Sequence, residues 1–469
     1  MSHAGDRAPA ASLGLLDATM VGIGAMIGAG IFVLTGLAAQ TSGPAAILVF
    51  ALNGGVTTFT ALSYAELAAA IPRNGGGYAY VREVFSAPIA FVMGWTRWFT
   101  YMIAGALYAL GFGANFEEFF HLYDVALPGT PVIWALVAVV AFVALNALST
   151  EASGSAETVI TLVKVAILAV FVAFGLSIVE LGNFQPLFPA EKGGAVNSVL
   201  PAMGLTFIAF QGYDLIATVT EEVENPQQNI PRAILLSVLV TVVVYLLVVF
   251  VAIGTLGADA LGAAGETAIA RAAEDFMPTF PLIGTGASLI AFGAVFSTIS
   301  ALNAVVIGSS RVAFAMGRER QLPDRLGHLH HRYGTPFVAI VASAVVMLIA
   351  VVVVPIRLVG NLASLFSLLG FVVVNLSVIR LRRQQPDLRR PFEIPFYPIP
   401  PILGIVLNLL LGFFISPQTW LVAIAWLAIG VAIYWLLSRR KEEPVVPGEP
   451  GPTPEDIEEP EVTIEPGED

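Results

Sequence analysis

The chain alternates long apolar runs with short polar loops along most of its 469 residues. Many of the runs reach 18 residues or more, which is the length an α-helix needs to cross the hydrocarbon core of a bilayer. We therefore predict an all-α integral membrane protein with twelve transmembrane helices. The predicted spans are 17–41, 45–71, 87–114, 131–149, 157–179, 196–218, 231–256, 282–312, 336–354, 358–380, 401–416 and 419–438.

The first span is rich in glycine, which disfavours a continuous helix by about 1 kcal/mol per interior position relative to alanine. We predict an unwound turn at 26–30, which must line a protein cavity because hydrocarbon cannot satisfy its backbone groups. The half-helix that follows presents its positive end to the gap, which suits a carboxylate. The alternative is that these glycines only allow close helix packing. They are Gly22, Gly24, Gly28, Gly30 and Gly36.

The sixth span is also interrupted, with Gly204 and the sequence FIAFQGYD at 207–214, which contains Gly212. Spans 1 and 6 thus each open a block of five spans, and an odd number of spans inserts the two blocks in opposite orientations. Interrupted helices at matching places of inverted repeats mark a binding site near the bilayer midplane. We predict a first repeat at 17–180, a second at 196–380, and helices 11 and 12 at 401–438.

Charge is distributed unevenly between the two sides of the predicted membrane. Alternating the loops places seventeen Lys and Arg residues on one side and three on the other, so we predict that both termini are cytoplasmic. The formal net charge of −12 comes mainly from residues 442–469, which hold 11 acids and no bases. We expect a disordered acidic tail there and a short cytoplasmic segment at 1–16.

Several classes of protein are disfavoured by composition. The chain has no cysteine, and its five histidines all fall outside the predicted spans, so no haem or metal site is expected inside the membrane. His328, His330 and His331 form a cluster that is able to bind a metal, although a solvated basic loop is the simpler explanation. We expect no cofactor and no nucleic-acid partner, and we rank a membrane enzyme last.

Several motifs in this order resemble the amino acid, polyamine and organocation (APC) transporter superfamily, in its branch of proton-coupled amino acid permeases. The resemblance runs from about residue 12 to 440 and implies a fold like that of the leucine transporter, with a 5+5 inverted repeat, broken helices 1 and 6 and alternating access. The motifs are GIGAMIGAGIF at 22–32, YAEL at 64–67, PRNGGGYAYVR at 72–82, EEVENPQQNIP at 221–231, SSR at 309–311 and AMGRERQLP at 315–323.

The resemblance also implies how the broken helices bind an amino acid. Backbone amides in the first break bind the α-carboxylate, carbonyls of both breaks bind the α-ammonium, and two phenylalanines shape the side-chain pocket. Ordinary packing is the alternative for the two aromatic residues. Gln211 stands where many relatives carry an aliphatic residue, so the transported side chain stays open. The candidate substrate-binding residues are Met26, Ile27, Gly28, Ala29, Gly30, Phe207, Ile208, Phe210 and Gln211.

Two bases lie inside predicted spans, and Lys164 is the more informative. Seven residues of helix place it roughly 10 Å inside its span. A desolvated lysine can exchange a proton near neutral pH, whereas an arginine cannot. By resemblance, a lysine here takes the place of a sodium ion in proton-coupled members, so we predict that it couples protons to transport. The alternative is a lysine that snorkels to the membrane surface.

Three further groups of charged residues need an explanation. Asp214 follows the second break and is a second candidate for proton coupling, with a structural hydrogen-bonded carboxylate as the alternative. Arg97 stays charged, so it requires a carboxylate or a water-filled cavity, and the sequence indicates no partner for it. Glu66 and the acids at 221–224 suit a cytoplasmic gate or a helix-capping network, or else are solvated loop charges.

Together these patterns predict a secondary active transporter of amino acids in the cell membrane, coupled to protons and surrounded by lipid. An exchanger of amino acids or polyamines is the main alternative with the same fold. A substrate sensor that does not transport is the alternative from another class, and it would require a folded signalling domain. The oligomeric state does not follow from the sequence.

Overall fold

The computed structural model describes residues 13–73, 75–148, 154–281 and 284–441. These residues form helices and connecting loops, and the β-pairs recorded among them are two isolated bridges, Leu13 with Val223 and Phe280 with Gly284. The predicted acidic tail at 442–469 and most of the predicted N-terminal segment lie outside the described residues.

The α-helices of the described residues are numbered here in chain order. They are α1 (Leu15–Ser42), α2 (Ala46–Ala70), α3 (Gly76–Val84), α4 (Ala87–His121), α5 (Pro131–Leu148), α6 (Gly154–Gly175), α7 (Gly194–Thr206), α8 (Tyr213–Ile216), α9 (Pro226–Leu256), α10 (Ala258–Ala264), α11 (Ala268–Glu274), α12 (Gly286–Arg318), α13 (Phe337–Val353), α14 (Ile356–Gln384), α15 (Ile399–Phe414) and α16 (Pro417–Lys441).

Nine helical stretches of the described residues are long and apolar enough to cross a membrane. The first of them, Leu15–Ala70, contains both α1 and α2, and the apolar helices α13 and α15 are slightly shorter than the others. This is the architecture of an all-α protein that passes through a membrane many times. The count of twelve spans stays a prediction.

The first break lies in α1 at Gly28, where the backbone leaves the helical region with φ 4° and ψ −126°. It falls within the turn predicted at 26–30. A Cβ at this position would lie 2.8 Å from the Cβ of Ala301, so glycine also allows α12 to approach the break.

The second break separates α7 from α8. The chain leaves α7 at Thr206, forms one 3₁₀ turn at Phe207–Phe210 and turns again at Gly212, whose φ is 142°. Only glycine adopts such a conformation readily. A Cβ on Gly212 would lie 2.7 Å from the backbone nitrogen of Met26, so the two breaks are in direct contact at the centre of the helix bundle.

Candidate substrate and coupling site

Tyr245 of α9 bridges the two broken segments. Its side chain is fully buried, and its hydroxyl oxygen lies 2.5 Å from the carbonyl oxygen of Met26 and 2.9 Å from that of Ala209. A tyrosine hydroxyl carries one hydrogen, so it can donate to one of these carbonyls at a time. This role could not be predicted from the sequence, because a single tyrosine in an apolar helix is ordinary.

The predicted substrate-binding residues lie together at the two breaks, and all of them are buried. The backbone groups there already have some partners. The carbonyl of Gly28 accepts a hydrogen bond from Ser297 Oγ at 2.7 Å, and the amide of Ile208 donates to Ser364 Oγ at 3.0 Å. Phe210 packs edge-on against Tyr245, with ring centroids 5.2 Å apart.

A cavity of about 10 Å³ lies beside these breaks, which is about the space that one water molecule needs. The helices are therefore closed around the centre in this conformation. Among the predicted substrate-binding residues, only Gln211 lines this cavity in the described part of the chain. Its Oε1 accepts a hydrogen bond from Ser367 Oγ at 2.9 Å, and its Nε2 has no partner among the described residues. Gly212 of the second break also lines it, and other lining residues, which the sequence did not indicate, include Ala25, Tyr101, Tyr108 and Ala301.

A larger groove of about 440 Å³ lies elsewhere, between α4, α16 and the loop after α12. Trp95, Trp98 and Leu326 line it together with the end of α16, and its walls are almost wholly apolar. It offers few polar groups to an amino acid and is remote in the sequence from both breaks, so we do not assign it to the substrate.

Lys164 reaches from α6 to the first half of α1. Its side chain is 0% exposed, so it does not snorkel to the surface. The ammonium donates to the carbonyl of Gly24 at 3.2 Å and to Ser300 Oγ of α12 at 3.0 Å. The ion-pair partner of Lys164 among the described residues is Glu157, whose Oε1 lies 4.0 Å from Nζ. The lysine is thus held by neutral groups and by one carboxylate beyond hydrogen-bond distance, four residues before the break in α1.

The contact of Lys164 belongs to a ladder between α6 and α1. Side chains at every third residue of α6 bind successive turns of α1, because residues three apart lie on one face of a helix. Gly24 permits this close approach, since a Cβ there would lie 2.6 Å from Glu157 Oε1. The three rungs are Thr158 to the carboxylate of Asp17 at 2.9 Å, Thr161 to the carbonyl of Met20 at 3.2 Å, and Lys164 to the carbonyl of Gly24 at 3.2 Å.

Arg97 of α4 forms a buried ion pair with Asp214 of α8, and both side chains are at most 5% exposed. The guanidinium also donates to the hydroxyl of Tyr101 at 2.9 Å and lies over the ring of Phe371. The other carboxylate oxygen of Asp214 accepts from the amide of Gly212 at 3.0 Å. This supplies the partner of Arg97 that the sequence did not indicate, and it ties α4 to the second break.

Glu66 lies in a buried charge network between α2 and the end of α14. Its carboxylate accepts two hydrogen bonds from Arg382, both at 2.7 Å, and one from the amide of Ile394 at 2.8 Å. These contacts fit the predicted network rather than a solvated charge. The segment at 221–224 instead pairs by its backbone with Leu13, just before α1. A role of either group in gating stays a prediction.

The fold and the contacts at its centre define a multi-pass helical membrane protein with two broken segments that meet around a small buried cavity. Residues 13–438 match the family described as Amino acid permease, and the chain belongs to that family. This match confirms the resemblance to the APC superfamily that the sequence motifs indicated. It also confirms the prediction of a transporter rather than an enzyme.

Three relatives illustrate the range of the family. The branched-chain amino acid permease BcaP of Bacillus subtilis (strain 168) is 31% identical over 93% of this chain and 95% of its own length. The methylthioribose transporter of the same organism is 30% identical over 92% of this chain and 94% of its own length. The serine/threonine exchanger SteT of Bacillus subtilis (strain 168) is 29% identical over 94% of this chain and 99% of its own length.

Proposed function

We propose that this protein takes up amino acids across the cell membrane by alternating access, driven by protons, with both termini in the cytoplasm. The observation that carries the proposal is the contact of the buried Lys164 ammonium with the carbonyl of Gly24, four residues before the break in α1. The likeness to BcaP and SteT, whose names give amino acids as their substrates, supports the class of substrate. The uneven distribution of Lys and Arg in the sequence supports the orientation.

The substrate would bind between the two breaks. The amides of Gly28, Ala29 and Gly30, at the start of a half-helix, suit its carboxylate. The carbonyls of Met26, Ile208 and Gln211 suit its ammonium. Because Tyr245 has one hydrogen for two carbonyls, a bound ammonium would supply the donor that one of them lacks. The cavity holds about one water, so the surrounding helices must separate to admit a substrate.

Protonation of Lys164 would control that separation. As an ammonium, Lys164 has three donors and holds Gly24 and Ser300 together; as a neutral amine it is a weaker donor with one lone pair. Loss of the proton would therefore loosen α6 and α12 from the first half of α1. We rank Asp214 second for proton coupling, because its protonation would leave the Arg97 guanidinium buried without a counter-charge.

The same proposal includes the two inverted repeats at 17–180 and 196–380, the twelve spans, and a role of helices 11 and 12 at 401–438 in packing or association. The break at Gly28 near the start of the first block and the break at 207–212 near the start of the second support it.

An exchanger is the second candidate, and the likeness to SteT favours it. Exchange uses the same broken helices, but the return step then requires a second substrate instead of a proton.

Uptake by purified protein in sodium-free proteoliposomes, with and without an inward proton gradient, tests the proposal. We expect a labelled amino acid mixture to accumulate above equilibrium only when the gradient is imposed. Exchange of preloaded amino acids that ignores the gradient would favour the exchanger. Ligand binding without any flux would contradict transport and favour a sensor.

A further inference from the structure

Glu157 is a charged residue close to Lys164 that the proposed mechanism does not yet use. It stands near the start of α6, and its side chain is 29% exposed, whereas Lys164 is fully buried. Its carboxylate oxygens lie 3.3 and 3.4 Å from Ser300 Oγ, and that same oxygen lies 3.0 Å from Lys164 Nζ. One hydroxyl thus stands between the buried amine and a partly exposed carboxylate near the start of α6.

We propose that Glu157 and Ser300 form the route by which the proton of Lys164 leaves for the side of the membrane on which α6 begins. This inference rests on the proposed function, because it assumes that Lys164 carries the coupled proton. The inference adds Glu157 to the proposed mechanism as a second proton-binding group, and it gives the side of the membrane to which the proton is released.

The transfer balances in two concerted bond exchanges. An N–H bond of the Lys164 ammonium breaks as Ser300 Oγ accepts that proton, while the hydroxyl proton of Ser300 passes to a carboxylate oxygen of Glu157. The products are a neutral amine, an intact serine and a neutral carboxylic acid, which then releases its proton to water. A hydroxyl can serve in this way because it is both a donor and an acceptor.

The surroundings of Glu157 are consistent with a group that changes charge. Within the described residues, the charged group in contact with Glu157 is Lys164 on its own helix, and Asp17 of α1 accepts a hydrogen bond from the adjacent residue Thr158. From α12 the facing group is the neutral Ser300, and α9 meets α6 at its other end, where Gly175 lies against Val251. A carboxylate 4.0 Å from the amine also stabilises the ammonium until the proton moves.

The absence of a side chain on Gly24 makes the arrangement possible. A Cβ on this residue would come within 2.6 Å of Glu157 Oε1, so a larger residue would displace the carboxylate from Ser300. Gly24, whose carbonyl accepts the hydrogen bond from Lys164, therefore also leaves the space that the Glu157 carboxylate occupies.

The test compares Glu157→Gln, Glu157→Asp and Ser300→Ala with wild type in sodium-free proteoliposomes. Two readouts are needed: gradient-driven uptake across a range of pH, and counterflow of a substrate at equal pH on both sides, which moves no net proton. Glu191→Gln is the matched control, because it removes the same charge from an exposed loop residue.

We expect Glu157→Gln to keep counterflow within about two-fold of wild type while gradient-driven uptake falls by about ten-fold or more, a change of about 1.4 kcal/mol. Its pH profile should flatten, Ser300→Ala should follow it, and Glu157→Asp should restore part of the coupling. Glu191→Gln should match wild type.

Gradient-driven uptake by Glu157→Gln at the wild-type level and pH profile would overturn the inference. Loss of counterflow to the same extent as gradient-driven uptake would overturn it too, because that result indicates a structural role. If the wild-type protein itself ignores the gradient, the proposed function fails and this inference fails with it, so the two failures are distinguishable.

Discussion

Within the described residues, two buried cationic side chains lie near the broken helices, and their surroundings differ. Arg97 has a carboxylate in direct contact, a tyrosine hydroxyl at 2.9 Å and aromatic rings beside it. Lys164 has a carbonyl, a serine hydroxyl and a carboxylate 4.0 Å away. Arginine keeps its proton in proteins, whereas a buried lysine exchanges its proton readily.

The contrast indicates different roles for the two sites. The ion pair of Arg97 with Asp214 joins α4 to α8, and its arginine keeps its positive charge. Lys164 is held mainly by neutral groups. When it loses its proton, the neutral amine is therefore not left in direct contact with an unpaired carboxylate. We therefore expect the arginine site to contribute chiefly to stability and the lysine site chiefly to coupling, and four changes test that division.

The largest effect on stability is expected from breaking the Arg97–Asp214 pair. Arg97→Met or Asp214→Asn should each destabilise the protein by about 3–5 kcal/mol, because the remaining charge stays buried without its partner. The double variant Arg97→Met with Asp214→Leu should lose less than either single variant, and thermal unfolding in detergent measures all three. A double variant as unstable as the sum of the singles would refute direct pairing.

Exchanging the two cations should separate charge from proton exchange. Lys164→Arg retains a positive charge but cannot release it, so accumulation driven by a pH gradient should fall to the level seen without a gradient. Arg97→Lys retains a partner for Asp214, so the variant should fold and remain coupled. Uptake by Lys164→Arg that still responds to the gradient would show that the lysine carries no exchangeable proton.

Gly24, where α6 packs against α1 beside Lys164, should not tolerate a larger side chain. Gly24→Ala should cost about 1–3 kcal/mol, because its Cβ would overlap Thr161 and Glu157 and push α6 away from α1. The matched control is Gly55→Ala, where a Cβ would meet nothing within 4 Å. Equal unfolding temperatures for the two variants would contradict the packing described here.

The smallest effect is expected from Tyr101→Phe, which removes a single hydrogen bond from Arg97 and leaves the ion pair in place. The expected loss is about 1 kcal/mol of stability, with gradient-driven uptake still coupled. A loss as large as that of Asp214→Asn would mean that the tyrosine, rather than the carboxylate, is the main partner of Arg97.

The features predicted from the sequence are those with a local cause. Glycines weaken a helix wherever they stand, so the break in α1 could be placed within the turn 26–30, and Gly28 lies in it. A lone amine in an apolar run is equally visible, so Lys164 could be singled out. Its burial and its exact partners required the structure.

The features that the sequence did not indicate depend on packing between distant helices. Arg97 and Asp214 are 117 residues apart, and nothing in either helix specifies that they meet. Ser300 lies 136 residues from Lys164, on the face of an apolar helix where a serine is unremarkable. The small residues that line the cavity, such as Ala25 and Ala301, have the same pattern as ordinary helix packing.

We infer that Lys164 carries the coupled proton and that Arg97 does not. This assignment is tested most directly by following the internal pH of sodium-free proteoliposomes with a trapped dye while an amino acid substrate flows inward. We predict that wild type and Arg97→Lys acidify the interior as the substrate enters, and that Lys164→Ala admits substrate down its gradient without acidification. Acidification by Lys164→Ala at the wild-type ratio of protons to substrate would contradict the account.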